Sequence, residues 1–176
     1  MKTILVDLNL CLGCKACEMA CATERVSKSK NLRGAILENP RPIPRISVQS
    51  NGQVSVPIQC RQCKDAPCLD VCPSGAIYRE DKEGKIVLNK NDCIGCWMCV
   101  MVCPFGAINY YLEIQKADKC DECIYMDYPV CVDACPTGAL KLIETDEKMS
   151  EIIVKRKKEG ISEYIKRGAK ENVWFK

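Results

Sequence analysis

Sixteen cysteines fall into four groups of four, and this grouping limits what the chain can fold around more than any other feature. The groups are Cys11, Cys14, Cys17, Cys21; Cys60, Cys63, Cys68, Cys72; Cys93, Cys96, Cys99, Cys103; and Cys120, Cys123, Cys131, Cys135. The first and third read C-x2-C-x2-C-x3-C, the second C-x2-C-x4-C-x3-C, and the fourth C-x2-C-x7-C-x3-C. In the last three groups the closing cysteine is followed by proline: Pro73, Pro104 and Pro136. This is the ligand spacing of cubane [4Fe–4S] clusters. At four thiolates per cluster, the chain is expected to bind four [4Fe–4S] clusters with no cysteine left over.

A short loop with two residues between cysteines can wrap three corners of a cubane. The fourth cysteine comes later, where the chain is turning into a helix and points away, and in two-cluster proteins it serves the other cluster. The residues between the ligands are small or apolar (Leu12, Gly13, Ala16, Ile94, Gly95, Val100, Val102) and are expected to line a dry shell. Zinc is a weaker reading. Zinc ribbons separate their cysteine pairs by a dozen or more residues, and the absence of histidine rules out mixed sites. Disulfides would call for a secretory leader, but the apolar stretch Ile4–Val6 is cut off by Asp7 with no cleavage site after it. Reduced thiols and a cytoplasmic location are expected.

The formal charge of +3 resides in residues 145–176, which hold nine basic and six acidic residues, while residues 1–144 carry seventeen of each. Four oxidised clusters with their thiolates would add roughly −8, which removes the case for a nucleic-acid target. No run is long enough to span a bilayer, so no membrane span is expected. The chain lacks histidine, a Ser/His/Asp set and a phosphate-cradling glycine loop, so no catalytic site of its own is expected.

An internal repeat, C-P-x-G-A-[IL], follows Cys72, Cys103 and Cys135; each glycine suits a turn and each apolar pair starts a strand. Ala76–Arg79 and Lys85–Leu88 predict a β-hairpin joining the second and third quartets. The expected fold is α+β: two pseudo-symmetric bacterial-ferredoxin-like modules of short hairpins and helices. Residues 57–112 form the central module, and residues 1–26 with 113–144 form the outer one. Residues 27–56 are an insertion with extended prolines and a hairpin around Ser50-Asn51-Gly52, expected to cover the outer module or dock a partner. Cys21 lacks a trailing proline and is expected within a longer helix, Cys14 to Val26. Trp97, Tyr78, Tyr110 and Tyr111 are expected to pack. Residues 145–176 are expected to form a helical tail, capped by Thr145, broken at Gly160 and solvated along Lys155–Lys158.

Crossed pairing then gives the expected ligand sets. In the central module Cys60, Cys63, Cys68 and Cys103 share one cluster, and Cys93, Cys96, Cys99 and Cys72 the next. In the outer module Cys11, Cys14, Cys17 and Cys135 share one, and Cys120, Cys123, Cys131 and Cys21 the other.

With four quartets in this order, a widened fourth and C-P-x-G-A repeats, the chain resembles the four-cluster ferredoxin-like electron-transfer subunits that accompany dimethyl-sulfoxide reductase, formate dehydrogenase, hydrogenase and nitrate reductase. CLGCKACEMACATERVSKSKNL followed by ENPRPIPRI is most similar to the iron–sulfur partner of carbon-monoxide dehydrogenase. Similar subunits accompany tungsten-pterin enzymes. The resemblance covers residues 1–143 and implies a relay of single electrons between a larger catalytic oxidoreductase subunit of anaerobic metabolism and a further acceptor or ferredoxin. Larger members of the family carry a membrane-anchoring extension, and none is expected in this chain. The alternatives are a freely diffusing polyferredoxin and a metal-stapled interaction protein without redox function.

Overall fold

The second and fourth quartets begin directly after strands, the first after a 3-10 turn and the third after a turn at residues 90–92, and the short spacing between the cysteines leaves room for little more than one turn of helix. A computed structural model describes residues 2–144. The helical tail expected from Thr145 lies outside the described residues.

The chain starts with β1 (Lys2–Val6) and a 3-10 turn over Leu8–Leu10 that leads to Cys11. Helix α1 (Ala16–Ala20) opens on Lys15, which is left-handed at φ 60°. It runs on as a π-helix over Cys21–Val26, so Cys21 does lie in a longer helix, which starts at Ala16 rather than at Cys14. Cys103, by contrast, ends its helix, because a proline follows it and the residue before a proline is driven to extended backbone.

The insertion carries α2 (Leu32–Leu37), an element the sequence did not suggest, and then the hairpin β2 (Ile46–Ser50) and β3 (Ser55–Gln59). Asn31 caps α2 by accepting from the Gly34 N–H at 2.8 Å. The second quartet holds α3 (Pro67–Asp70), with proline at its first turn, where the missing N–H costs nothing. The hairpin β4 (Ile77–Arg79) and β5 (Ile86–Leu88) leads to the third quartet and α4 (Met98–Val102), which opens on Trp97 at φ 57°, as α1 opens on Lys15. Next come the hairpin β6 (Ile108–Tyr111) and β7 (Lys116–Lys119), helix α5 (Val130–Asp133) in the fourth quartet, and β8 (Leu140–Glu144). The turn of the β6–β7 hairpin spans the 112/113 division expected between modules.

Short helices and two-stranded antiparallel sheets make this an α+β fold. The sheets pair β1 with β8, β2 with β3, β4 with β5 and β6 with β7. The C-P-x-G-A copies build the same turn three times. In each, the glycine N–H donates to the cysteine carbonyl (3.2–3.3 Å), and the glycine φ lies between 57° and 66°, which glycine alone adopts without strain.

Two main apolar clusters result. One gathers Ile4, Leu140 and Val132 with Cys17, Cys21 and Cys131, and is covered by Ile46 and Val48 of β2. The other gathers Ile77, Ile86, Ile108 and Ala117 around Cys99, with Cys63, Cys68, Cys72, Cys93 and Cys103 packed against it. Tyr111 is buried and receives the Ile43 N–H at 2.8 Å. Tyr78 and Tyr110 do not pack away: they are 41% and 49% exposed. Tyr110 meets the Trp97 ring with centroids 5.9 Å apart.

Candidate metal centres

None of the sixteen cysteines is joined in a disulfide. Their placement follows from the loops. A left-handed residue after the second cysteine of the first and third quartets (Lys15, Trp97), and positive φ at Gln62, Glu122 and Cys123 in the other two, curl each loop inward.

Two cavities are walled by cysteines from different parts of the chain. Cys11, Cys14, Cys17 and Cys135 line one. Cys72, Cys93, Cys96 and Cys99 line the other. In each, three cysteines come from one quartet and the fourth from a loop about 20 to 120 residues away. Leu12 and Ile94 also line these cavities, yet they are 75% and 64% exposed, so the shell expected to be dry opens to solvent there. Of the sixteen thiols, only those of Cys14 and Cys96 belong to exposed residues.

Of the remaining eight cysteines, Cys21, Cys60, Cys120, Cys123 and Cys131 are buried and Cys63, Cys68 and Cys103 partly so, and their charges act on one another. Burial first, and then Cys60, Cys103 and Cys63, push the Cys68 thiol up. Burial first, and then Cys123, Cys21 and Cys17, raise Cys131. Cys120, wholly buried, is held well above the ordinary thiol range by burial and then by Cys131, Cys60 and Cys21. Burial likewise lifts Cys17 to about 12, and Cys21 and Cys99 to about 11. A low-dielectric site crowded with thiols opposes ionisation unless an electrophile neutralises the charge. A cationic metal core does this and displaces the protons.

Several donors are already aimed at sulfur. The Arg45 N–H donates to Cys21 Sγ at 3.2 Å, and the Glu122 N–H to Cys120 Sγ at 3.3 Å. Burial works to raise Cys72 and Cys135. The N–H groups of Ile77, Ser74 and Ala76, and of Leu140, Thr137 and Ala139, outweigh it and hold both thiols below their ordinary value. The Ser74 hydroxyl lies 3.8 Å from Cys72 Sγ and the Thr137 hydroxyl 3.7 Å from Cys135 Sγ. Phe105 fills the same position after Cys103 and has no hydroxyl.

Among the described residues, no three cysteine or acidic side chains close on one point as a single metal ion requires. The cysteines are spread around the walls of their cavities, an arrangement that suits a polynuclear core. The residues present therefore fit [4Fe–4S] clusters.

One feature was not apparent from the sequence. Charged side chains around the second and fourth quartets are buried rather than solvated. Lys85 (1% exposed) pairs with Glu122, Arg45 with Asp118 (2.8 Å) and Asp121 (3.0 Å), and Arg25 with Asp121. The available signal was Asp121-Glu122 between Cys120 and Cys123, where the first and third quartets carry Leu12-Gly13 and Ile94-Gly95.

Two 4Fe-4S dicluster domain models match the chain, one over residues 10–77 and one over residues 53–145. The chain is 41% identical over 149 residues to the putative electron transport protein YsaA of Escherichia coli, covering 83% of this chain and 92% of that one. It is 37% identical over 162 residues to the electron transport protein HydN of Escherichia coli (83% and 90% covered), and 40% identical over 161 residues to an iron-sulfur protein of Rhodospirillum rubrum (81% and 82% covered). No helix among the described residues is long and apolar enough to cross a membrane. The paired cysteine loops and these relatives together mean that the chain belongs to the 4Fe-4S dicluster family of ferredoxin-like electron-transfer proteins.

Proposed function

We propose that the chain carries four [4Fe–4S] clusters and serves as the electron-transfer subunit of a larger oxidoreductase in the cytoplasm, with no catalytic site of its own. The ligand sets are Cys11, Cys14, Cys17 with Cys135; Cys120, Cys123, Cys131 with Cys21; Cys60, Cys63, Cys68 with Cys103; and Cys93, Cys96, Cys99 with Cys72. The observation that carries this reading is the pair of cavities in which three cysteines of one quartet meet the last cysteine of another. Each cluster takes up and releases one electron at a time.

The sets run in a definite order. Cys17 acts on Cys131, Cys60 on Cys120, and Cys68 on Cys99. This supports a line from the Cys11 set through the Cys120 set and the Cys60 set to the Cys93 set. The two ends hold the exposed cysteines, Cys14 and Cys96. Exposed Leu12 and Met19 flank the first, and exposed Ile94, Met98 and Met101 the second. Electrons enter at one end and leave at the other. The Cys11 and Cys120 sets, with the strand pair β1–β8, form the outer module, and the Cys60 and Cys93 sets form the central one. The partner is a catalytic subunit of the carbon-monoxide dehydrogenase, hydrogenase, formate dehydrogenase or molybdenum/tungsten-pterin type.

Anaerobic reconstitution followed by iron and sulfide analysis tests the cluster count. About sixteen irons per chain are expected, and fewer than about twelve overturns it. Purification from the native source tests the subunit role. A stoichiometric larger subunit is expected, whereas a lone monomer would make the chain a diffusing carrier.

A further inference from the structure

Five basic side chains are drawn into the protein around the second and fourth quartets: Arg25, Arg45, Arg61, Lys85 and Lys119. Three of them meet carboxylates: Arg25 meets Asp121, Arg45 meets Asp118 and Asp121, and Lys85 meets Glu122. The other two have no carboxylate in contact among the described residues. Lys119 is 1% exposed and donates only to carbonyls, that of Ile86 and that of Cys120 at 3.1 Å. Arg61 is 3% exposed, its Nε and Nη1 have no hydrogen-bond partner, and its guanidinium lies over the Phe105 ring, 5.9 Å from the centroid. Glu122 is the carboxylate whose charge reaches Arg61, and it is already engaged by Lys85 and by the Thr3 hydroxyl at 3.3 Å.

A protein interior does not retain an unpaired charge without a counter-charge. The two unpaired cations act on thiols of one quartet. The charges of Cys60 and Cys63 act on Arg61, and Lys119 acts on Cys68. The other sets lack such a surplus. Arg25 and Arg45, beside Cys123, are offset by Asp118 and Asp121, and Lys90, which also meets Asp118, has a side chain 36% exposed, so solvent screens it. The leading charges on Cys17 (Glu18, Cys11, Cys135) and on Cys99 (Cys93, Cys68, Cys72) are negative. Lys116 donates to the Cys93 carbonyl but is only partly buried, so solvent screens it.

We propose that Arg61 and Lys119 are the fixed counter-charge of the site made by Cys60, Cys63, Cys68 and Cys103, and that this site is the most easily reduced of the four. The proposal rests on the four-cluster reading above. One electron added at this site raises its negative charge by one unit, and two nearby cations in a poorly screened interior stabilise that change more than at the other three sites. In the proposed order the site is internal, so the chain holds its first electron between its ends, away from both exposed cysteines.

The test is an anaerobic dithionite titration of the reconstituted full chain, followed by electron paramagnetic resonance. In the parent, the signal that develops at the most positive potential should be the one whose g-values change in Cys103→Ser. If it changes instead in Cys14→Ser, Cys96→Ser or Cys123→Ser, the proposal is overturned. Arg61→Gln should make that first step at least tenfold harder, a shift of 59 mV to the negative, and leave the other three in place. Arg61→Lys, which keeps the charge, should stay within threefold of the parent. An iron-replete Arg61→Gln protein with an unmoved first step, or an Arg61→Lys protein shifted as far as Arg61→Gln, refutes it. If Arg61→Gln loses iron, the Cys103→Ser assignment in the otherwise native chain decides. A parent with fewer than about twelve irons counts against the four-cluster reading itself, not against this charge assignment.

Discussion

Replacing Glu122 by glutamine should loosen the whole fold although its side chain bonds to Thr3 and Lys85 and not to sulfur. Lys85 and Glu122 have side chains only 1% and 3% exposed, and they form an ion pair across 37 residues of sequence. Lys85 also donates to the Lys2 carbonyl at 2.5 Å, and Glu122 accepts from Thr3. The pair thereby ties the β4–β5 hairpin to the loop of the fourth quartet and to β1. Taking the charge from one partner leaves a buried ammonium uncompensated, at a cost of about 3–5 kcal/mol. Glu122→Gln can still accept a hydrogen bond, so the lower end applies, about 3 kcal/mol. Release of bound clusters makes unfolding irreversible, so a rate is the quantity to measure. If half to all of the cost falls on the unfolding barrier, unfolding speeds up between about tenfold and a hundredfold. The assay is anaerobic decay of visible absorption in guanidinium after full reconstitution. The double variant Lys85→Met/Glu122→Gln removes both charges and should recover most of the loss, because an apolar replacement of a buried pair is often neutral. A Glu122→Gln protein that decays within twofold of the parent, or a double variant that decays faster than either single one, refutes the reasoning.

Cys72→Ser should alter the spectrum of the cluster held by Cys93, Cys96 and Cys99, since Cys72 shares their cavity; a change confined to the cluster of Cys60, Cys63 and Cys68 would contradict the crossed sets. Gly95 and Gly84 have similar φ (71° and 66°), but a Cβ at Gly95 would sit 2.3 Å from the Gln115 carbonyl oxygen, whereas one at Gly84 meets nothing within 4 Å. Gly84→Ala should therefore cost only the left-handed strain, about 1–2 kcal/mol in the same decay assay, and Gly95→Ala should additionally lower iron content. Equal effects of the two substitutions would be the wrong outcome. Ser74→Ala and Thr137→Ala remove hydroxyls that lie 3.8 Å and 3.7 Å from Cys72 and Cys135 sulfur. Each should shift one reduction step to the negative, since hydrogen bonds to sulfur favour the reduced cluster, and unchanged titrations would show the hydroxyls to be idle.

The sequence carried most of the local architecture. A cysteine-rich loop with two residues between ligands must curl within a few bonds, and a glycine after Cys-Pro-x has one ready conformation, so the quartets, the three repeated turns and the β4–β5 hairpin could be read from neighbours alone. Helix α2 escaped because Leu32–Leu37 is a turn and a half held by the Asn31 cap, too short to show a period. Tyr78 and Tyr110 were misplaced because a strand of three or four residues does not declare which side faces inward.

Tertiary structure alone decided what lies far apart along the chain. The meeting of Cys135 with Cys11 across one cavity depends on β1 pairing with β8 at opposite ends of the described residues. The burial of Arg61, Lys85 and Lys119 is likewise a property of how the loops close over one another, because a charge read along the chain looks solvated until packing removes its water. Spacing within a loop is a short-range steric matter that residue order settles by itself. The electrostatic surroundings of a buried site depend on groups from several segments, and these come together only when the chain has folded.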